Sequence, residues 1–441
     1  MHCEDLGEIS RWCGGCWSQS PSIAFSGRIT QDSRNIQPGD IYVALNGPNY
    51  DGHDFVYDAF SKGACGAIVR RAHADQQGAL LLVDDPLVAL QQLAIAYRAT
   101  WAGRAIGITG SVGKTTVKEL MRSILATTAP VHATAGNYNN HIGVPLTLLG
   151  LEKTDQFAVV ELGMNQPGEI EPLAAWVQPE WAIMTEIGPA HYAHFNSIEA
   201  IVDEKAALLR ALPVEGVAVL DKNSPWYKTL EASTEASVID VSLHKQATVR
   251  GFYEGGSHLR VESTEYRLPQ PGAHMASNVL KCIALSLHAG ITPAQIQKGL
   301  QAYKNAPMRW EESHLGGIHW INDAYNANPL SMRAALEAFV EMDAPHHWVV
   351  IGCMHELGDL AAEKHAALAA YLDTLDLAGW LVLGPWAKQM EQMSSGIACE
   401  THAEALSYLK ARMKPGDKVL LKGSRSEAIE TVIRLFEREQ E

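Results

Sequence analysis

Residues 107–116, with the sequence GITGSVGKTT, carry the residue types and spacing that most clearly indicate chemistry. A glycine-rich turn, Lys114 and Thr115 lie between an apolar strand and an amphipathic helix. Glycines let backbone N–H groups approach phosphates, the helix N-terminus adds positive potential, Lys114 supplies a charge and Thr115 can ligate Mg²⁺. In the usual phosphate-loop pattern G-x₄-G-K-S/T, the first position is glycine. Here Ile108 occupies that position, and the glycine lies two residues later, at Gly110. We predict a nucleotide-polyphosphate site formed by Gly110, Ser111, Val112, Gly113, Lys114, Thr115 and Thr116.

Acidic side chains end or follow three later apolar runs of strand length. They are Glu161, Glu186 and Asp221. Ligands of open parallel sheets bind outside the carboxyl ends of the strands, so all three are site candidates. Beside a phosphate loop we expect Glu161 to ligate Mg²⁺, because this ion prefers hard oxygen ligands.

The pattern of elements divides the chain into three parts. Residues 1–84 have short strand-like runs and one helical segment near residues 54–62, as in a small α/β module. Residues 85–310 alternate strands with helices, which predicts a central parallel sheet covered by helices. Residues 311–441 resume this alternation and predict a smaller, Rossmann-like doubly wound unit. The predicted fold is α/β with three domains and a hinge near residues 308–317.

Composition excludes several classes of function. The formal charge of −15 over 441 residues argues against a nucleic-acid groove. No uncharged apolar run approaches the roughly 18 to 20 residues that span a bilayer, and the N-terminus lacks the features of a secretory signal. The odd number of cysteines, 7, fits free thiols in a reducing compartment. We therefore expect a cytoplasmic protein without membrane insertion, and no role for the pair Cys13 and Cys16.

Further segments resemble one known family. In chain order they are residues 137–145 (NYNNHIGVP), 161–165 (ELGMN), 187–191 (IGPAH) and Lys205. Together with the variant phosphate loop they resemble the ATP-dependent Mur ligases of peptidoglycan synthesis and their folylpolyglutamate synthetase relatives. Residues 322–332, 352–358 and 419–426 look like the MurF-type group, and residues 30–34 and 51–55 resemble its uridine-nucleotide module. The departures are Met275, in place of the usual asparagine, and Cys353, in place of the usual aspartate.

The resemblance implies an activity and a metal site. A peptide carboxylate attacks the γ-phosphate of ATP, and the amine of D-alanyl-D-alanine then opens the acyl phosphate formed on UDP-N-acetylmuramoyl-tripeptide. Two Mg²⁺ ions are implied, with Thr115, Glu161, His191 and Lys205 as ligands. Lys205 is expected to react with CO₂ to form a carbamate, which requires a depressed lysine pKa. Lys114, Glu161, His191 and Lys205 are the predicted catalytic residues.

The resemblance also assigns binding residues. Asn278, Arg309, Asp323, Tyr325 and Asn326 are expected at ATP, with Asn278 at adenine and Asp323 at the ribose. Asp32, Ser33 and Arg34 are expected at the UDP-sugar. Asn139 and Asn140 are expected to face the substrate, and Lys422, Ser424 and Arg425 the peptide carboxylates. A monomer is expected, with closure of the third domain completing the site.

Two other functions remain open at this point. One is a sister ligase that adds a single amino acid to the same acceptor; the Asp-Asn-Pro-Arg signature of the diaminopimelate-adding enzyme is absent. The other is a P-loop regulatory ATPase that makes no covalent product. Such an ATPase does not need a uridine-nucleotide module or the combination of Glu161, His191 and Lys205.

Overall fold

The computed structural model describes residues 1, 6–190, 192–195 and 197–440. It has three β-sheets of five, nine and six strands with helices between the strands, so the predicted α/β class is confirmed. Among the described residues, no helix combines the length and the apolar composition needed to cross a bilayer.

The first sheet is small and mostly parallel. Its elements are α1 (Leu6–Cys13), β1 (Cys16–Trp17), β2 (Ile29–Thr30), β3 (Ile41–Val43), α2 (Val56–Ser61), β4 (Gly66–Arg70) and β5 (Leu80–Val83). The strand order is β1-β5-β4-β3-β2, with β1 antiparallel to β5. Buried residues of this part and of the central part form one continuous hydrophobic cluster. The boundary proposed near residue 84 thus separates two sheets that share a core.

The central sheet carries the phosphate loop. Its elements are α3 (Pro86–Thr100), β6 (Arg104–Thr109), α4 (Lys114–Leu125), β7 (Val131–Ala133), α5 (Gly143–Leu149), β8 (Phe157–Glu161), α6 (Ile170–Val177), β9 (Trp181–Met184), α7 (Ile198–Arg210), β10 (Val217–Asp221), α8 (Tyr227–Glu231), β11 (Ser237–Ser242), β12 (Val249–Tyr253), β13 (His258–Val261), β14 (Thr264–Arg267), α9 (Ala273–His288) and α10 (Pro293–Ala302). The order is β14-β13-β12-β11-β10-β9-β6-β8-β7, with β13 antiparallel to both neighbours. Because β6 lies between β8 and β9, the loop after β6 opens at a topological switch point.

Helix α4 follows the phosphate loop for a clear physical reason. Val117, Leu120, Met121 and Ile124 recur at helical spacing and are fully buried in the second hydrophobic cluster, which includes α9 and α10. The helix begins at Lys114, earlier than the predicted start near Val117.

The third sheet repeats the alternation of strand and helix. Its elements are β15 (Glu311–Leu315), β16 (Ile318–Asn322), α11 (Pro329–Val340), β17 (His347–Gly352), α12 (Ala361–Leu372), β18 (Gly379–Leu383), α13 (Ala387–Gln392), β19 (Ile397–Ala398), α14 (His402–Lys410), β20 (Lys418–Lys422) and α15 (Thr431–Gln440). The order is β15-β16-β20-β17-β18-β19, and only the pair β15–β16 is antiparallel within the described chain.

Candidate active site

The phosphate loop passes very close to neighbouring elements. Gly110 has a φ of 151°, and a Cβ there would lie 1.9 Å from Thr185 Oγ1. Gly113, at the N-cap of α4, has a φ of 89°, and a Cβ there would lie 2.9 Å from Asn278 Oδ1. Both positions therefore require glycine. The resulting tight turn presents the N–H groups at the start of α4 to an anion.

Two lysine side chains from different helices reach this loop. Lys114 Nζ donates to Gly110 O at 2.8 Å and to Ser111 O at 3.4 Å. Lys205, on α7, is 1% exposed and donates to Gly110 O at 2.9 Å. Burial, and after it the positive charge of Lys114, lowers the pKa of Lys205 well below its ordinary value. Lys205 is therefore a buried lysine at the phosphate loop.

Glu161 forms a set of oxygen ligands with the first turn of α4. Its side chain is buried, Oε2 accepts a hydrogen bond from Thr115 Oγ1 at 2.9 Å, and Oε1 accepts one from Asn139 Nδ2 at 2.8 Å. The Glu161 backbone N–H donates to Thr134 Oγ1. Adjacent hydroxyl and carboxylate oxygens are a hard donor set that suits Mg²⁺. His191, the third predicted ligand, lies outside the described residues.

The two neighbouring asparagines differ in their contacts. Asn139 reaches Glu161, whereas Asn140 Oδ1 accepts hydrogen bonds from the backbone N–H groups of Ile142 at 3.1 Å and Gly143 at 3.0 Å. These contacts stabilise the start of α5. Only Asn139 joins the predicted metal site directly.

A cavity of about 360 Å³ lies between the phosphate loop, α9 and the third domain. Loop residues 111–116 form one wall. The other walls include every predicted ATP residue outside the loop, namely Asn278, Arg309, Asp323, Tyr325 and Asn326. The structure thus brings these residues into one cavity.

The linker into the third domain is strained. Met308 and Trp310 have positive φ angles of 57° and 53°, which are uncommon for residues other than glycine. Between them, Arg309 places its Cζ 4.2 Å from the centre of the Tyr325 ring. The Trp310 N–H donates to Asp323 Oδ1 at 3.2 Å. The linker conformation therefore aims Arg309 into the cavity.

Lys422 is buried at the edge of the nucleotide cavity. It is 3% exposed, and Nζ donates to Asp323 Oδ2 at 2.6 Å and to Asn326 O at 3.2 Å. It also lines the nucleotide cavity. The ammonium group of Lys422 therefore holds Asp323, and its expected role at peptide carboxylates stays a prediction.

Ser424 and Arg425 lie beyond β20, away from the residues that line this cavity. Ser424 Oγ accepts a hydrogen bond from the His355 N–H at 3.0 Å. Arg425 Nη1 lies 2.8 Å from Glu430 Oε1, with about half of the arginine side chain exposed. A peptide-binding role for this pair stays a prediction.

Helix α11 packs against the central domain at two glycines. A Cβ at Gly188, in the segment after β9, would lie 2.1 Å from Leu330 Cδ1 at the start of α11. A Cβ at Gly272, the N-cap of α9, would lie 2.7 Å from Ala338 Cβ near the end of α11. Both ends of α11 thus contact the central domain, and the cavity lies between these two contacts.

Polar contacts also join the two domains. Tyr253, at the end of β12, donates its hydroxyl to Glu341 Oε2 at 2.7 Å, and the Tyr253 hydroxyl oxygen accepts the Gly272 N–H at 2.9 Å. The Ala193 N–H donates to Glu356 O at 3.1 Å. The described arrangement is therefore a closed one.

The predicted UDP-sugar residues form a turn in the first domain. Arg34 binds Asp32 in bidentate fashion at 2.8 and 2.9 Å, and these hydrogen bonds lower the pKa of Asp32 to about 2. Ser33 is buried, and its carbonyl accepts from Lys62 Nζ at 2.9 Å. The Arg34 side chain is 85% exposed, so it is accessible to a substrate.

His53, in the same module, lies near Asp51 and His73 but is not a free metal ligand. Its Nδ1 lies 2.6 Å from Asp51 Oδ1, and Nε2 accepts the Arg70 N–H at 3.0 Å. With both ring nitrogens engaged, His53 has a structural role.

Some cavity residues were missed by the sequence reasoning. On α9, His274, Ser277 and Lys281 line the cavity together with Asn278. Their spacing of three and four residues places them on one helix face, and this pattern was the available signal. Lys281 is buried and binds Asp221 Oδ2 at 3.0 Å. Asp221 itself was a site candidate because it ends a strand, but its partner Lys281 was not predicted.

Comparison with known proteins agrees with this geometry. The profile of the Mur ligase middle domain matches residues 108–286, and that of the Mur ligase glutamate ligase domain matches residues 308–425. The UDP-N-acetylmuramoyl-tripeptide–D-alanyl-D-alanine ligase of Bacillus subtilis (strain 168) is 33% identical over 423 residues, with 92% of each chain covered.

Solved structures are similar over nearly the whole chain. A crystal structure of MurF from Acinetobacter baumannii is 32% identical with a TM-score of 0.90, and the match covers 98% of each chain. The MurF ligase of Thermotoga maritima, solved in complex with ADP, is 27% identical with a TM-score of 0.82, covering 93% of this chain and 97% of that one.

Proposed function

The chain belongs to the Mur ligase family, in the MurF group, and we propose that its closed cavity performs this group's ligation. The substrates are ATP, UDP-N-acetylmuramoyl-tripeptide and D-alanyl-D-alanine, and the product is the UDP-linked pentapeptide, a peptidoglycan precursor. The observation that carries the proposal is the cavity itself, because the phosphate loop and residues of the third domain line it together, and Thr115 of its lining pairs with Glu161.

The first step is limited by charge. The tripeptide carboxylate must approach the γ-phosphate of ATP, and the two anions repel each other. The N–H groups of the loop, Lys114 and Arg309 offset this repulsion and align the phosphates. When ATP binds, Lys114 exchanges its contact with Gly110 O for the phosphate oxygens. The acyl phosphate formed is then opened by the dipeptide amine, and the same cations stabilise the tetrahedral oxyanion.

Thr115 and Glu161 are the proposed Mg²⁺ ligands, and His191 is proposed as the ligand of a second ion. Bound Mg²⁺ neutralises phosphate charge and orients the γ-phosphoryl group. Glu161 is held for this task by Asn139 on one oxygen and by Thr115 on the other. Thr115 and Glu161 would hold the ion through their hydroxyl and carboxylate oxygens.

Lys205 is proposed to act as a carbamate. Reaction with CO₂ requires an unprotonated amine, and burial together with the nearby charge of Lys114 favours that form. The carbamate would present two anionic oxygens next to the loop. Its negative charge would also attract the nearby ammonium group of Lys114.

The third domain completes the nucleotide site. Asp323 is proposed to bind the ribose hydroxyls, with Lys422 and the Trp310 N–H fixing its carboxylate. Tyr325 and Asn326 lie beside the nucleotide, and Asn278 contacts adenine. Asp32, Ser33, Arg34 and Asn140 are proposed on the side of the UDP-peptide. For the peptide carboxylates the candidates remain Lys422, Ser424 and Arg425.

The decisive experiment is mass spectrometry of the product. Incubation with ATP, UDP-N-acetylmuramoyl-tripeptide and D-alanyl-D-alanine should give the pentapeptide with one ADP and one phosphate per ligation. Replacing the dipeptide with single amino acids tests the sister ligase. Steady ATP hydrolysis indifferent to both cosubstrates would favour a regulatory ATPase.

We also propose that the protein is a cytoplasmic monomer. Light scattering coupled to size-exclusion chromatography measures its mass in solution.

A further inference from the structure

Glu186 is an acidic side chain at the nucleotide cavity that the proposed chemistry does not use. It follows β9, and its carbonyl accepts the backbone N–H groups of Ser111 at 2.7 Å and Val112 at 3.1 Å. Its backbone is therefore clamped to the phosphate loop. The residue lines the cavity together with Asn278 and Lys281 of α9.

The carboxyl group of Glu186 has no protein partner among the residues that the structure describes. The nearby cation, Lys281, is already engaged with Asp221 Oδ2 at 3.0 Å and with Ser277. Burial raises the pKa of Glu186, and Lys281 only partly opposes this effect. A half-buried carboxyl group without a hydrogen-bond donor is unfavourable, and a polyphosphate in the same cavity adds repulsion. A hydrogen-bond donor on the bound ligand would satisfy the Glu186 carboxyl group.

We propose that Glu186 selects the base of the nucleotide by accepting a hydrogen bond from the exocyclic N6 amine of adenine. This inference rests on the proposed function, in which Asn278 contacts adenine and Asp323 takes the ribose hydroxyls. The N6 amine carries two hydrogens, so it can donate one to Glu186 even where Asn278 accepts the other, and the other polar atoms on that edge of the base accept hydrogen bonds. Guanine presents the O6 acceptor at the same place, which would face the Glu186 carboxylate as a second acceptor.

The test measures base selectivity by calorimetry of ADP and GDP binding in the presence of Mg²⁺. The wild-type protein should prefer ADP. Glu186→Ala should reduce the ratio of ADP to GDP affinity by roughly 10-fold or more, because a hydrogen bond to a charged group is lost for ADP only. Glu186→Gln should also reduce the ratio, since its amide can donate to O6. Glu215→Gln, at an exposed glutamate outside the cavity lining, is the matched control.

An unchanged ratio of ADP to GDP affinity in both Glu186 variants would overturn the proposal. This includes the case in which the affinities for ADP and GDP fall by the same factor. That last result would mean that Glu186 only supports the loop or balances Lys281. Because Gln is isosteric with Glu and keeps the backbone contacts, it guards against loss of the fold in the Ala variant. Nucleotide binding is measured without ligation, so a failure of the proposed ligation would be seen separately in the product assay.

Discussion

Lys114 and Lys205 donate hydrogen bonds to the same acceptor, the carbonyl oxygen of Gly110, at 2.8 and 2.9 Å. Two ammonium groups that share one carbonyl are close enough to repel each other strongly at a buried site. The repulsion is relieved if one lysine loses its proton, and Lys205, the more deeply buried of the two, has its pKa lowered well below the ordinary value. Burial lowers the pKa of Lys114 as well, but that of Lys205 falls well below its ordinary value, so we expect Lys205 to lose its proton more readily.

The first prediction concerns Lys205. If its carbamate is an anionic ligand, Lys205→Ala should lose most activity, and acetate should partly restore it, because a diffusible carboxylate can occupy the vacated space. Methylamine should not restore it. Turnover of the variant is measured with increasing concentrations of each compound. Rescue by methylamine alone would show that Lys205 acts as a cation.

The second prediction concerns Lys114. Lys114→Ala should lower the rate of ligation by about 10²–10³-fold, a typical loss for one transition-state contact. The fold should stay intact, since Lys114 Nζ contacts only loop carbonyls. Turnover and thermal denaturation are compared with Lys153→Ala, at an exposed lysine. Normal turnover with unchanged ATP affinity would contradict the role of the phosphate loop.

The sequence predicted this site unevenly, for physical reasons. The phosphate loop and Glu161 were predictable because short-range spacing and strand ends determine their positions. The helical position of Lys205 gave no sign of its burial, which depends on packing of α7 beneath the loop, and only the resemblance singled it out. The contact of Lys422 with Asp323 was not predicted, because it joins residues about a hundred positions apart in the chain. Strands β12 to β14 were not predicted because each has at most two buried residues, so no apolar run of strand length marks them in the sequence.

The third prediction concerns the metal site. Glu161→Gln should weaken activation by Mg²⁺ by at least about 10-fold, because a neutral amide replaces an anionic ligand. Asn139→Ala should have a smaller effect in the same direction, as it only removes the hydrogen bond that orients Glu161. The measurement is turnover at increasing Mg²⁺ concentration. Identical Mg²⁺ dependence in Glu161→Gln and the wild type would exclude Glu161 as a ligand.

The fourth prediction separates the domains. Arg309→Ala and Asp323→Ala should lower turnover far more than they lower affinity for the UDP-peptide, because both residues lie on the linker and third-domain side of the cavity. Arg34→Ala should weaken UDP-peptide binding directly. Calorimetry with the UDP-peptide alone measures the difference. A large loss of this affinity in Arg309→Ala would contradict the division between the two sites.

The last prediction concerns closure of the third domain through Tyr253. Its hydroxyl donates to Glu341 of the third domain and accepts the N–H of Gly272, the residue that caps α9. Tyr253→Phe removes these hydrogen bonds, together with the contact of the hydroxyl with Gly256 O at 3.0 Å, and keeps the ring. It should therefore favour the open arrangement and raise the KM for ATP by about 5-fold, as expected for roughly 1 kcal/mol. Affinity for the UDP-peptide should not change.

Small-angle X-ray scattering with a non-hydrolysable ATP analogue measures closure of this variant directly, and Tyr57→Phe, at a tyrosine 80% exposed in the first domain, is the control. If Tyr253 acts through Glu341, the double variant Tyr253→Phe/Glu341→Ala should be no worse than Tyr253→Phe alone. An additive double variant would mean that the two residues act independently. A wild-type radius of gyration and KM in Tyr253→Phe would show that the packing of α11 on Gly188 and Gly272 suffices for closure.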